Sequence, residues 1–434
     1  MIKQITKKII ITILKLEAGL ILWKYKPKII AITGTVGKTS AKDAINTILS
    51  QEFYVRKSEK SYNSEFGVPL TVIGAKSAFN NLFKWLLIFA KGAKLLIVKH
   101  DYPQILILEA GVDRPNDMSF LTSWLKPDMA VITGFGNVPV HIEFFKNVDE
   151  LAKEKLKLIN NFTAENYAIL NGDDLKLREM KNKTAANIIT YGFNEDNDLV
   201  ASNYHILYKD DKEQGVPEGI TFKIDYKGNI IPIRLYNIFG KQAVYSALAA
   251  LAVGIAHHFN IIEMSKSLLR YRPPVARLNL IEGIRGSSVL DDSYNASPLA
   301  LNMALDTLNE IKINGKKIAV LGEMLELGRH SSDEHRKAGE KAAKIADIIA
   351  TIGIRAKFIG EGATEAGFKE KNIYKFDESR EAGKFLATII KEGDLILVKG
   401  SQSVRTEKVV EEIMAHPENK DFLLARQEKE WLNK

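Results

Sequence analysis

Residues 28–49 read KIIAITGTVGKTSAKDAINTIL, and this stretch decides the fold. Ile29, Ile30, Ala31 and Ile32 form an apolar run of strand length. Thr33 to Thr39 is a glycine-containing turn. Ala41, Ala44, Ile45 and Ile48 then recur at i, i+3, i+4 and i+7, one face of a helix. Strand, glycine turn and helix in that order are the setting of a phosphate-binding loop. Gly34 and Gly37 let the backbone approach oxyanions with no Cβ in between. The helix N-terminus beyond them presents unpaired N–H groups and partial positive charge. Lys38 reaches the terminal phosphates in such a loop, and the Thr39 hydroxyl binds Mg²⁺. The general pattern G-x-x-x-x-G-K-[ST] requires glycine at position 32, where Ile32 stands, so this is the shorter G-x-x-G-K-T form. A helix start after a buried strand is the plain alternative. ATP binding is the working expectation.

The chain has 434 residues, enough for two or three domains with substantial cores. It has no cysteine, which excludes disulfides, thiolate metal sites and thiol nucleophiles and fits a reducing cytoplasm. The formal net charge is +8, and residues 1–60 hold twelve Lys or Arg against four Asp or Glu, so they carry all of it. A local anionic partner, such as phosphates or a membrane face, is expected rather than nucleic acid along the whole surface.

At the N-terminus, Ile2, Ile5, Ile9, Ile13, Leu16, Leu20 and Trp23 mark an amphipathic helix, with Lys3, Lys7, Lys8 and Lys15 off the stripe. Lys15 and Glu17 break the apolar run, so a membrane span is not expected, and no small-residue cleavage site suggests export. Two readings remain: a helix packed on the domain, or one lying on the inner membrane face. Residues 60–73, KSYNSEFGVPLTVI, read as a polar loop, a Gly-Val-Pro turn and an apolar run. Residues 79–98, FNNLFKWLLIFAKGAKLLIV, carry only lysines as charges and read as a buried helix or a second interfacial segment.

QILILE (104–109) is a buried strand ending in a carboxylate. The carboxyl ends of parallel strands are where doubly wound sheets place ligand chemistry, so Glu109 is a candidate Mg²⁺ ligand. Strands are expected at 129–133 and 167–170. A hairpin is expected about Lys227-Gly228-Asn229, and a small-residue helix over 243–256. His141, read alone, is a surface histidine, and Lys153, Lys155 and Lys157 a solvated face. Tyr271-Arg272-Pro273-Pro274 breaks the pattern and marks a domain boundary. Beyond it, strands at 288–290, 317–321, 348–352 and 395–398 alternate with helices near 298–312, 332–346, 378–391 and 404–414, a second α/β unit. The expected divisions are an amphipathic helix (1–26), an ATP-binding unit (27–272) and a C-terminal unit (273–434).

Five ordered motifs resemble the Mur ligase superfamily, in its MurF branch: TGTVGKTS (33–40), NSEFGVPLT (63–71), LDDSYNASP (290–298), LGEMLELG (321–328) with His335 downstream, and VKGS (398–401). The resemblance implies a central P-loop ATPase domain with a mostly parallel sheet and a C-terminal Rossmann-like α/β domain. It implies ATP and Mg²⁺ as cofactors, held by Gly34, Thr35, Gly37, Lys38, Thr39 and Ser40. Thr39, Glu109 and His141 become metal-site residues, joined by Lys155, the lysine that is carbamylated in this family and so behaves as a carboxylate near Mg²⁺; Lys38, His141 and Lys155 are the implied catalytic residues. Arg277, Asp292 and Asn295 would meet the nucleotide, and Asn63, Glu65, Lys399 and Ser401 the other substrates. The implied partners are a peptidoglycan-precursor peptide and a dipeptide or amino-acid amine, joined as an amide through an acyl phosphate.

Two departures stand out. Family members carry a UDP-binding domain before the ATPase domain, and only about 26 residues precede it here. The adenine-contacting G-x-HN-x-x-N stretch reads Gly240-Lys241-Gln242-Ala243-Val244-Tyr245-Ser246. Other readings stay open: a ligase of this fold for a different carboxylate and amine, of polyglutamate or amidating type, or a non-catalytic nucleotide-binding scaffold. The expected location is the cytoplasm, with peripheral contact at the inner membrane face.

Overall fold

A computed structural model of the protein describes residues 2–59, 62–79, 81–136, 138–139, 141–211, 213–428 and 431, without the side chains of 2–6, 82, 181, 182 and 211. Lys60 and the side chains of Ile2, Lys3 and Ile5 thus lie outside the described residues.

The first sheet has nine strands: β1 (Lys28–Thr33), β2 (Val55–Lys57), β3 (Ile105–Glu109), β4 (Met129–Ile132), β5 (Tyr167–Asn171), β6 (Asn187–Gly192), β7 (Leu199–Tyr208), β8 (Pro217–Tyr226) and β9 (Asn229–Tyr236). Their order is β2-β3-β1-β4-β5-β6-β7-β8-β9. Pairing is parallel from β2 to the start of β7, and antiparallel from β7 to β9. β1 lies between β3 and β4, so connections leave it in both directions and open a crevice at its carboxyl end. Both faces of β1 are covered, which is why its sequence is continuously apolar. Ile30 and Ile32 face the cluster built on the helices Lys38–Leu49 and Lys241–Ala256. Ile29 and Ala31 face Leu14, Ala18 and Ile21 of the N-terminal helix Ile2–Tyr25.

That helix is therefore packed on the sheet, but not through the stripe read from the sequence. Ile9, Leu16, Leu20 and Trp23 are exposed. The GVPLTVI stretch is not a turn and an apolar run but a buried helix, Gly67–Ile73. Pro69 is tolerated because it sits in the first turn, where N–H groups lack intrahelical acceptors. Residues 82–97 form a helix capped by the Asn81 side chain, buried on one face only.

The second sheet comprises β10 (Asn279–Glu282), β11 (Ser288–Asp292), β12 (Lys317–Gly322), β13 (Ile348–Ile352), β14 (Ile373–Phe376) and β15 (Leu395–Lys399). Its order is β10-β11-β15-β12-β13-β14, parallel except for β10. Asp292 pairs in register with Lys399, and Leu321 with Lys399. The DDSYN, LGEM and VKGS motifs therefore leave the carboxyl ends of three adjacent strands. An apolar cluster continues from the first sheet to the second through Leu301, Ala304, Leu305 and Leu308 of the helix Pro298–Glu310.

Candidate active site

The loop after β1 is shaped by close approach. Gly34 has φ 142°, and a Cβ there would lie 2.1 Å from Thr133 Oγ1. Thr35 N donates to Gly134 O at 2.8 Å, and Thr133 Oγ1 donates to Val36 O at 2.6 Å, so the end of β4 holds the turn. Gly37, at φ 86°, starts the helix Lys38–Leu49 in the left-handed conformation. Lys38 Nζ folds back to donate to Gly34 O at 2.9 Å. Burial pushes its pKa down, and Glu109 opposes the shift. The buried Thr35 hydroxyl has no hydrogen-bond partner among the described residues, an orphan polar atom in the cradle. Ser40 lies in the first turn of the helix, and its carbonyl accepts from Tyr271 OH at 3.1 Å.

Glu109 ends β3 completely buried. One carboxylate oxygen is 2.7 Å from Lys42 Nζ, and the other accepts from Thr39 Oγ1 at 3.4 Å. Among the described residues no group of three His, Asp or Glu side chains converges as a metal site. Thr39 and Glu109 form a partial set, and Mg²⁺ at phosphate sites takes one or two protein oxygens with the rest from phosphate and water. The residues thus fit Mg²⁺ held together with a nucleotide.

Lys155 is buried, which overturns its reading as part of a solvated face. Its Nζ donates to Gly34 O at 3.0 Å, so two lysines share one loop carbonyl. Burial, then the Lys38 charge, hold its pKa well below the usual lysine range. His141 adopts φ 68° and sits between carboxylates, its Nδ1 2.8 Å from Glu326 and its Nε2 3.4 Å from Asp113. Glu326 lies in the second unit, so the imidazole bridges the two.

A cleft of about 880 Å³ opens over the loop. Lys38, Thr39, Asn63, Glu109 and His141 line it from the first unit, and Arg277 and Asn295 from the second. Arg277 stacks on the Tyr294 ring, 4.3 Å from its centroid. Asp292 does not line this cleft. It accepts from Lys399 Nζ at 2.6 Å, and Lys399 also donates to Asn295 O at 2.9 Å. Burial pushes Asp292 up and Lys399 down, and their contact opposes both shifts. Lys399 is thus a strut under the Asn295 loop. Ser401 Oγ accepts from Leu325 N at 3.0 Å and holds the LGEMLELG loop. His335 supports the same loop, accepting from Met324 N at 2.9 Å. Glu65 turns away from the cleft to Lys7 of the N-terminal helix, at 2.7 Å.

The sequence reading missed several of these partners. Lys42, one turn after Lys38 on the same helix face, was the available clue to an anchor for Glu109. Arg426, near the C-terminus, donates to the carbonyls of Ser293 and Tyr294 and to Glu407, bracing the DDSYN loop. A second cavity, of about 510 Å³, adjoins the loop on its far side. Asn171, Asp173, Asp174, Tyr191, Gln242 and Tyr245 line it, and Leu299 and Met303 close it from the second unit. Tyr245 OH donates to Asp173 Oδ2 at 2.8 Å. Lys241, Gln242, Tyr245 and Ser246 of the stretch where the adenine motif departs from the pattern all line this cavity.

Two family models match in this order: the Mur ligase middle domain over residues 32–254 and the Mur ligase glutamate ligase domain over 276–402. The UDP-N-acetylmuramoyl-tripeptide--D-alanyl-D-alanine ligase of Bacillus subtilis is 29% identical over 392 residues, 90% of this chain and 76% of that protein. The Escherichia coli enzyme of the same name is 25% identical, covering 88% and 76%. The crystal structure of MurF ligase from Thermotoga maritima with ADP superposes with a TM-score of 0.75 at 25% identity, covering 93% of this chain and 83% of the other. The first model alone spans more than half of the sequence and takes in the loop, Glu109, His141 and Lys155, while the second begins one residue before Arg277. The chain belongs to the Mur ligase family.

Proposed function

We propose that this chain is an ATP-dependent, carbon–nitrogen bond-forming ligase of the MurF type, joining D-alanyl-D-alanine or a similar amine to the carboxylate of a peptidoglycan-precursor peptide. One observation carries the reading. The cleft sets Lys38, Thr39 and Glu109 of one unit opposite Arg277 and Asn295 of the other, an arrangement suited to ATP and a carboxylate acceptor between them.

The acceptor carboxylate oxygen attacks the γ-phosphorus, the bond to the β-phosphate oxygen breaks, and ADP leaves. Lys38, Arg277 and the helix N-terminus at Gly37 offset the charge that spreads over the phosphoryl oxygens. The amine nitrogen then attacks the acyl phosphate carbonyl. The tetrahedral intermediate loses phosphate, and the amine's proton passes to solvent or to the departing group. No side chain forms a covalent bond to substrate. Thr39 and Glu109 are the residues that would hold Mg²⁺, which would supply further charge neutralisation there, and Lys42 fixes the Glu109 carboxylate. Lys155 acts as a carbamate: burial favours its uncharged amine, the nitrogen adds to the carbon of carbon dioxide as one N–H proton leaves to solvent, and the product carries a negative charge beside the loop. His141, between Asp113 and Glu326, holds the units closed on the substrates. The cavity around Asp173 and Tyr245 receives the base and ribose, with Gln242 at the motif's His position, Ala243 and Ser246 at its Asn positions, and Tyr245 supplying a contact from a position the motif leaves open.

The test is phosphate release with muramoyl-peptide acceptors and D-alanyl-D-alanine. Release is expected only when both are present, and Lys38→Ala is expected to lower it by about 10²-fold or more while leaving the fold intact. Nucleotide binding with no release for any acceptor and amine pair refutes the reading and leaves a nucleotide-binding scaffold. Undiminished release by Lys38→Ala refutes the site.

A further inference from the structure

Two helices on one flank of the first sheet bury only part of their apolar surface. The helix Ile2–Tyr25 turns Ile9, Leu16, Leu20 and Trp23 outward, with Trp23 76% exposed. The helix Leu82–Ile97 buries Trp85, Ile88 and Leu95 and turns Phe83, Leu86, Leu87 and Ile97 outward, with Ile97 82% exposed. The two helices are tied together. A Cβ on Gly92 would lie 2.3 Å from the Glu17 carboxylate, and Lys24 Nζ donates to Leu95 O and Leu96 O, each at 2.8 Å. Monomeric proteins rarely leave this much clustered apolar surface in water unless something covers it.

The charge of the flank selects the cover. Residues 79–98 contain Lys84, Lys91 and Lys94 and no acidic residue, and residues 1–26 contain six lysines against Glu17, of which Lys7 is paired with Glu65 and Lys24 with the carbonyls of the second helix, so the flank stays net positive. A second copy docking through the same face would set lysines against lysines. No helix among the described residues is long and apolar enough to cross a membrane. An apolar face edged by lysines instead suits the boundary between headgroups and acyl chains of an anionic leaflet. Position adds to the argument: Phe79, itself exposed, and Lys84 at the start of the second helix line the reaction cleft.

We propose that this flank rests on an anionic lipid surface, in a shallow and reversible contact beside the mouth of the cleft. The test uses the full chain with vesicles of phosphatidylglycerol and phosphatidylcholine, and with vesicles of phosphatidylcholine alone. The protein is expected to sediment with the anionic vesicles at low salt, by about tenfold over the neutral ones, and to be released at high salt. Trp23 emission is expected to shift to the blue on binding, a shift lost in Trp23→Phe. A variant with Leu16→Ser, Leu20→Ser, Phe83→Ser and Leu86→Ser, checked for folding by circular dichroism, is expected to stay in the supernatant. Lys84→Glu with Lys94→Glu, which leaves the apolar core untouched, is expected to lower binding several-fold. Three results overturn the proposal: no sedimentation with anionic vesicles at low salt, equal binding to neutral vesicles, or a concentration-dependent dimer that the serine variant abolishes. The last would assign the face to a second copy.

Discussion

Replacing Lys399 by methionine tests whether the Asp292–Lys399 pair holds the Asn295 loop that lines the cleft from the second unit. Both side chains are buried, with 1% and 3% of their surface exposed, and the Nζ–Oδ2 distance is 2.6 Å. Methionine keeps the length and apolar stem of lysine, so little of the effect comes from a cavity. What remains is a buried carboxylate without its cation and the Asn295 carbonyl without its 2.9 Å donor. Removing one partner of such a pair costs about 3–5 kcal/mol. The loss should depend on pH with a definite sign. Asp292 is already pushed up by burial and loses the contact that opposes this. A carboxyl with a raised folded pKa contributes stability that is fully present below its unfolded pKa and is lost as pH rises. The deficit of Lys399→Met should therefore shrink as the pH falls toward the carboxylate range. Adding Asp292→Asn removes the stranded charge and should recover at least about 2 kcal/mol of the loss. Urea unfolding followed by circular dichroism, for the four members of the cycle and at two pH values, reads all of this. A cost for Lys399→Met below about 1 kcal/mol that does not change with pH would mean the pair is not a buried strut.

Two further outcomes follow from single residues. Lys155→Ala should lower turnover by about 10²-fold, and a small carboxylic acid in the buffer should restore part of it; full activity without the acid would rule out a carbamate at that position. Burial raises the Glu17 carboxyl from 4.5 to about 7. The stability it contributes is thus fully present below the lower value and lost as pH rises through the upper one. Glu17→Gln should accordingly melt higher than the parent in alkaline buffer and equally near the lower value, and a pH-independent difference in thermal scans would contradict the burial of Glu17.

The phosphate loop was legible because strand, glycines and helix are local patterns, and the structure places each where its neighbours in sequence require. The partners of its side chains were not legible. Lys42 sits mid-helix and its role exists only because β3 runs beside β1 and carries Glu109 to it. Lys153, Lys155 and Lys157 looked like one solvated set, but residues two apart on a helix point to different sides, and Lys155 points inward. Asp292, Lys399 and Leu321 come from motifs more than a hundred residues apart at the extremes, and strand order alone makes them neighbours. β14 escaped notice because it is short and only partly buried, so its sequence shows little alternation.

The N-terminal helix shows where periodicity stops being informative. Ile9, Leu16, Leu20 and Trp23 repeat at helical spacing, and so do Leu14, Ala18 and Ile21. A helix with two apolar stripes has no preferred side until something else supplies one. Here the sheet makes the choice. Ile29 and Ala31 on β1 and Val68 and Val72 on the adjacent short helix leave a shallow surface, and Leu14, Ala18 and Ile21 fill it. The small Ala18 allows the close approach that Leu16 or Trp23 would prevent. The stripe more prominent in the sequence is then left facing outward, beside a second helix in the same condition. Packing explains why the inner stripe is apolar and gives no reason for the outer one to be. A solvated helix face can be polar without loss, and lysine, glutamate or glutamine there would favour the helix equally well. The outer apolar stripe is therefore the part of this helix whose composition the fold does not account for, and the lipid contact proposed above accounts for it.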